Sequence, residues 1–447
     1  MGFTTMGFFF ILFPDDDSTI ITKTKQKSNL SSLKSINTLL KPSNSTHLFP
    51  KAQFIISICV LLIFITLLLF TISTFEPSKI QLSTNSVPHK SKSSSFQQHA
   101  LQKMGFLYRK GTKSMNDLII AHVSESVTLQ ELKLFTRLIL RSKITSKSDL
   151  LFIFPSKSIP FDNTIIQENN SFLKILSKYK KTNSTSIFDP THFLTRPKKA
   201  NESEESIWGR KKMSNFSEEN DDIESTRLSY GSVIGFYADE LDPENSLNGF
   251  MDHVPMSLRR WACYTMLLGR VRRNYKHVIL VDVKEILLLG DPLSRVKNLS
   301  QDSVIISTVT QSNHRRKNVE KNHSKKQANP AIIMGGLRGV RRLSNAMLIE
   351  IVRESMQRKK KNSVTESVLL SQLVGNEFIL KNVELISGES IVELSSLTEL
   401  DKKSGSLVMS LLKYSMVRRG NSNVDISSVF KKYLCSFPLE STAYSDC

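Results

Sequence analysis

Cysteine is scarce. The 447 residues hold four, at Cys59, Cys263, Cys435 and Cys447, with no Cys-x-x-Cys pair and no Cys/His cluster. That spacing excludes a zinc finger or ribbon. A Cys435–Cys447 bridge closing a short terminal loop is expected, while Cys263, inside a helical pattern, reads as a small buried hydrophobe. Acidic residues are also few: 41 Asp+Glu stand against 61 Lys+Arg, a formal net charge of +20. Such an excess suits a polyanionic partner, whether nucleic acid, anionic lipid, acidic glycan or phosphorylated donor. Nucleic acid is not expected, because the basic runs 314–317 and 358–361 lack interleaved aromatics and any base-reading motif. There is no internal repeat, P-loop or Rossmann glycine fingerprint. No lipidation is expected: Met6 stands where N-myristoylation needs Ser or Thr, and Cys447, as the last residue, does not match a prenylation box. With 40% hydrophobic and 23% charged residues, the chain is not wholly disordered.

What is present begins with one apolar run. Residues 54–74, FIISICVLLIFITLLLFTIST, carry no charge. About 20 such residues make a helix long enough to cross a bilayer, and a cleaved signal peptide has a shorter apolar core. Lys41 and Lys51 precede the run, whereas Glu76 and Lys79 cancel after it, so a cytoplasmic N-terminus is favoured. Asn169, Asn183, Asn201, Asn215, Asn298 and Asn322 begin N-x-S/T triplets after the run, but Asn29 and Asn44 do so before it. The expected order is a cytoplasmic disordered tail (1–53), a transmembrane helix (54–74) and a flexible stem (75–115) rich in Ser, Lys and Gln. A folded domain (116–385) and a C-terminal extension (386–447) of weak strands and Ser-rich turns follow.

Within the domain, continuous apolar runs alternate with amphipathic ones. DLIIAHV (117–123) and DLLFIFP (149–155) read as buried strands. Residues 126–142, with apolar positions at Leu129, Leu132, Phe135, Leu138 and Ile139, read as a helix. A short helix is expected over 171–180 and a polar surface insertion over 196–228. A Ser257-capped helix covers 257–274. Strands follow from His277 and over 302–308, then a strand, a Gly-rich turn and a long helix over 329–362, and a last helix over 365–376. This alternation predicts an α/β fold, a mostly parallel sheet with helices on both faces.

Ligands of open α/β sheets bind beyond the carboxyl ends of the strands. The strand from His277 ends there in Asp282-Val283-Lys284. The stretch RRWACYTMLLGRVRRNYKHVILVDVKEILLLGDPL (259–293) resembles GT-A-type glycosyltransferases of the glycogenin- and galactinol-synthase-like group: a helix, a strand ending in Asp-x-Asp, apolar residues and a Gly-Asp-Pro-Leu turn. The whole chain also looks like a plant family of single-pass membrane proteins carrying such a domain. The resemblance, spanning roughly 117–376, implies a GT-A-like fold, a nucleotide-sugar donor, a glycan acceptor and a Golgi or endomembrane address with a lumenal domain. It also implies Mn²⁺ or Mg²⁺ on paired carboxylates. Here Lys284 replaces the second carboxylate and cannot ligate a cation. It either meets the donor diphosphate directly, allowing metal-independent transfer, or is a solvated turn residue. Asp282 is either a donor ligand or a strand-end cap. Gly335, Gly336 and Arg338, at a strand-to-helix turn, form a second candidate phosphate site. Glu366 falls where the resembled family often carries an acid near the acceptor, as general base or hydroxyl acceptor. The alternative function is a non-catalytic, glycosyltransferase-like partner in cell-wall polysaccharide synthesis.

Overall fold

A computed structural model describes residues 58, 60–67, 99–101, 104–182, 189–195, 227–271, 275–310, 326–357, 364–376, 380, 382–386, 391–398, 404–420 and 425–447. The chain divides into two compact units, Met1–Lys92 and Ser93–Cys447. In the first, residues 58 and 60–67 are helical and exposed. Among the described residues no helix is long and apolar enough to cross a membrane, and the rest of the 54–74 run lies outside them. Most of the 196–228 insertion and both basic runs also lie outside them.

The second unit is a mixed α/β structure. Its main strands are β1 (His99–Leu101), β2 (Met104–Arg109), β3 (Asp117–His122), β4 (Ser148–Phe154), β5 (Val233–Tyr237), β6 (His277–Asp282), β7 (Ile286–Leu288), β8 (Val304–Thr310), β9 (Lys326–Gly336), β10 (Val383–Ile386), β11 (Val392–Glu393) and β12 (Met416–Arg418), and Leu194–Thr195 pairs with Arg227–Leu228 in a two-stranded sheet. Its main helices are α1 (Leu129–Arg141), α2 (Ile159–Thr182), α3 (Met256–Arg270), α4 (Leu337–Gln357), α5 (Glu366–Val374), α6 (Ser404–Leu411), α7 (Ile426–Cys435) and α8 (Pro438–Ala443). Nine strands form one sheet in the order β1-β2-β5-β4-β3-β6-β9-β8-β10, and β11-β12-β7 form a small second sheet. Only β2 and β9 of the large sheet run against the rest.

Alternation along the strands builds the layers. Leu118, Ile120, Leu151, Ile153, Val278 and Leu280 face one side, where they meet Trp261 and Leu267 of α3, Val340 and Leu343 of α4, and Leu369 of α5. Ile119, Ala121, Leu150, Phe152, Ile279 and Val281 face the other, against Leu132, Phe135 and Ile139 of α1 and Phe172 of α2. Helices therefore cover both faces, which is why the central strands run apolar at consecutive positions between their polar ends. α1 begins in a capping box, with Thr128 Oγ1 accepting from the Glu131 N–H and Glu131 accepting from the Thr128 N–H at 2.8 Å.

Several expectations are corrected. β2 pairs with β5, so the sheet begins inside the stretch read as a stem. α2 starts at Ile159, well before the expected 171, its polar first turns hiding the periodicity. α3 is capped at Pro255 rather than Ser257. The C-terminal extension is mainly helical: α6 and α7 pack Leu407, Val408, Leu411 and Phe430 on Leu134 and Leu138, the outer face of α1. Such short helices owe their existence to that packing, since local propensity alone does not hold them. Cys435 and Cys447 are disulfide-bonded, and Cys263 is buried and free, both as expected. Of the N-x-S/T asparagines, Asn169 is buried in α2 and Asn298 is exposed.

Candidate functional site

β3, β4 and β5 extend the sheet one way, and β6 then pairs on the opposite side of β3. The growth of the sheet reverses between β3 and β6, and ligands of open α/β sheets settle beyond the carboxyl ends at such a point. The residues there are His122 and Asp282, paired in register.

Asp282 closes the tight turn into β7. Its Oδ1 accepts from the backbone N–H of Lys284 at 2.8 Å and of Glu285 at 3.3 Å. Its Oδ2 faces Arg260 Nη1 at 3.3 Å. Arg260 comes from the buried face of α3, and its Nε donates to Glu366 Oε1 at 2.8 Å, with Nη2 2.6 Å from the same oxygen. Trp261 Nε1–H donates to that oxygen too, at 2.5 Å. One buried guanidinium thus ties the strand-end acid to the first residue of α5. Burial alone would lower the Arg260 pKa, but Glu366 and Asp282 outweigh it and hold the group charged. Burial pushes the Glu366 carboxyl up, against the pull of Arg260.

His122 lies beneath this group, fully buried, with neither ring nitrogen hydrogen-bonded. Burial, then the charge of Arg260, pushes its pKa down to about 3, so the imidazole is neutral. Glu285, although exposed, has its carboxyl pushed up by partial desolvation and by Asp282.

The structure brings together Asp282 and Glu366, bridged by Arg260. Lys284 is exposed, its Nζ donating to Ser126 Oγ, in the loop after β3, at 2.8 Å. Gly335 and Gly336 are elsewhere. β9 runs antiparallel to β6, pairing Gly336 with His277, so the glycines sit at the opposite edge of the sheet, about 17 Å from Asp282 at ~3.3 Å per residue. Their small size serves a close approach. A Cβ on Gly336 would lie 2.3 Å from the Gln301 carbonyl oxygen, and one on Gly335 would lie 2.5 Å from that of Ser303. Arg338 is exposed and pairs with Asp302 at 3.4 Å.

The described residues offer few ligands for a divalent cation here. Hard cations need several oxygen ligands, both oxygens of Asp282 are engaged by protein donors, and among the described residues no three His, Cys, Asp or Glu side chains are grouped to hold a metal. Arg260 is the residue that motif reading overlooked. It stands among five arginines bracketing one helix, and only its place beside Trp261 on the buried face separates it from surface charges.

The fold and this edge define a mixed α/β domain with a candidate ligand site at the sheet's switch point. The chain belongs to the family described as "Domain of unknown function (DUF7780)", which matches residues 98–390. No functionally curated protein matches it in sequence. Among solved structures it is similar to the galactosyltransferase LgtC in complex with donor and acceptor sugar analogs, at 8% identity and a TM-score of 0.37, covering 72% of this chain and 96% of that one. It is similar to the glycosyltransferase GlyE of Streptococcus pneumoniae TIGR4, at 9% identity and a TM-score of 0.35, covering 75% and 63%. The bifunctional glycosyltransferase WbbM matches at 12% identity and a TM-score of 0.34, covering 74% and 52%. Likenesses this loose support no statement about what this chain does.

Proposed function

We propose that the domain is glycosyltransferase-like and takes a nucleotide sugar at the carboxyl edge of β3 and β6, transferring the sugar to a glycan acceptor without a divalent metal. The observation that carries this reading is the buried Arg260 guanidinium, which touches Asp282 where the resembled Asp-x-Asp motif would hold a cation. The guanidinium, shared with Asp282 and Glu366, on this reading also offers its charge to a departing diphosphate without an ion. On this reading residues 54–74 anchor the protein in an endomembrane of the Golgi type, with the domain on the lumenal side.

A second reading has an observation of its own. Glu366 Oε1 is shared by Arg260 and Trp261, which leaves the expected general base bound up in an ion pair. A protein in that state binds donor or glycan without turnover. Incubating the purified full chain with UDP- and GDP-sugars, in Mn²⁺ and in EDTA, separates the two. Nucleoside diphosphate released equally in both buffers supports transfer. Binding without release supports the non-catalytic reading, and neither binding nor release overturns both.

A further inference from the structure

The C-terminal extension reaches the same turn. β12 pairs antiparallel with β7, with Arg418 opposite Ile286, and the Arg419 N–H donates to the Glu285 carbonyl at 2.8 Å. Two more arginines therefore stand beside the Asp282–Glu285 turn, both 8% exposed. Arg419 interacts electrostatically with Asp282, and Arg418 with Glu285.

Their pairing is poor beside that of Arg260. Arg418 Nη1 reaches Glu393 at 3.5 Å, and its Nε and Nη2 have no hydrogen-bond partner. Arg419 Nη2 reaches the Glu131 carbonyl at 3.3 Å and Nη1 lies 3.5 Å from Glu131 Oε1, while Nε has no partner. Glu131 caps α1 through its other oxygen, Oε2, which accepts from the Thr128 N–H and hydroxyl at 2.8 and 3.0 Å. Buried guanidinium groups are normally saturated with acceptors. Each of these two, short of acceptors beside the Asp282–Glu285 turn, offers the planar fork that binds phosphate oxygens.

We infer that Arg418 and Arg419 grip the phosphate groups of the ligand bound at the Asp282 turn, supplying the positive charge that a metal would otherwise bring to a nucleoside diphosphate. The inference rests on the donor-binding reading above and deepens it. It assigns the anion subsite to residues beyond the 98–390 family match, so the C-terminal extension is part of the site.

The test compares UDP and GDP with uridine and guanosine, titrated into the full chain. The wild-type protein is expected to bind its preferred diphosphate at least tenfold more tightly than the matching nucleoside. Arg418→Gln with Arg419→Gln is expected to shrink that gap about tenfold or more, the scale of charge-assisted phosphate bonds, leaving nucleoside affinity unchanged. Hydrogen exchange on the wild-type chain needs no variant: backbone amides at 416–419 gain protection with the diphosphate and not with the nucleoside. An unchanged gap, or exchange at 416–419 indifferent to diphosphate, overturns this inference while leaving donor binding standing. A wild-type chain that binds neither form overturns both.

Discussion

Replacing Arg260 with Met puts the central arrangement under direct strain. The side chain is 3% exposed and is the shared counter-ion of Asp282 and Glu366. Its removal leaves two carboxylates facing each other across an apolar gap. Breaking a buried ion pair by deleting one partner costs about 3–5 kcal/mol. The unit Ser93–Cys447 has an unfolding entropy near 0.75 kcal/mol per kelvin at ~2.1 cal/mol/K per residue, so the melting temperature should fall by about 4–7 °C. The loss should depend on pH with a definite sign. Burial already holds the Glu366 pKa above its ordinary value, and deleting Arg260 raises it further. A carboxyl with a raised folded pKa favours the fold below its unfolded value, about 4.3, and loses that contribution as pH climbs through the folded value. The gap between variant and wild type is therefore narrowest near pH 4 and widens toward pH 8. Adding Glu366→Leu should recover part of the loss, because it replaces the broken pair with apolar contact. Thermal and urea unfolding of the three proteins at several pH values measures all of this. A single variant losing under about 1 kcal/mol, or a gap that widens toward acid, refutes the reasoning.

Other substitutions probe separate claims. Lys284→Ala removes only an exposed bond to Ser126 and should change unfolding free energy by less than about 0.5 kcal/mol, measured by urea titration. Gly336→Ala drives a Cβ to 2.3 Å from the Gln301 carbonyl oxygen, and should cost about 1–3 kcal/mol by the same titration without altering ligand affinity, since the site is at the other edge. Cys435→Ser with Cys447→Ser opens a loop of sequence separation 12, and calorimetry should find it about 3 kcal/mol less stable under oxidising conditions and equal to reduced wild type.

Much of the fold is legible in the pattern of residues, and the reasons are local. The LIIA of β3 and the LLFIF of β4 are continuous apolar runs because helices cover both faces of their sheet, and α1 announces itself through Thr128, Glu131 and the spacing from Leu132 to Ile139. The antiparallel course of β9 is another matter. A buried strand reads the same in either direction, so nothing in NPAIIMGG reveals that its glycines end at the far edge from Asp282. That hidden reversal separates Gly335, Gly336 and Arg338 from the strand-end acid. Asp282 and Glu366 were both visible as candidates, the one by its strand end and the other by its helix start. Their bridge was not, because Arg260 is 22 residues from one and 106 from the other, and only tertiary packing joins them. Arg418 and Arg419 fall in a tail whose short helices and strands lack the periodicity that marks longer elements.

The measurement that bears most directly on the central claim is the affinity of the full chain for its preferred UDP- or GDP-sugar, titrated first in excess EDTA and then in millimolar Mn²⁺. On the proposal that Arg260 takes the cation's place at Asp282, the two dissociation constants should agree within about twofold, well below the tenfold that ~1.4 kcal/mol represents. Binding that disappears in EDTA and returns with Mn²⁺ would contradict the account.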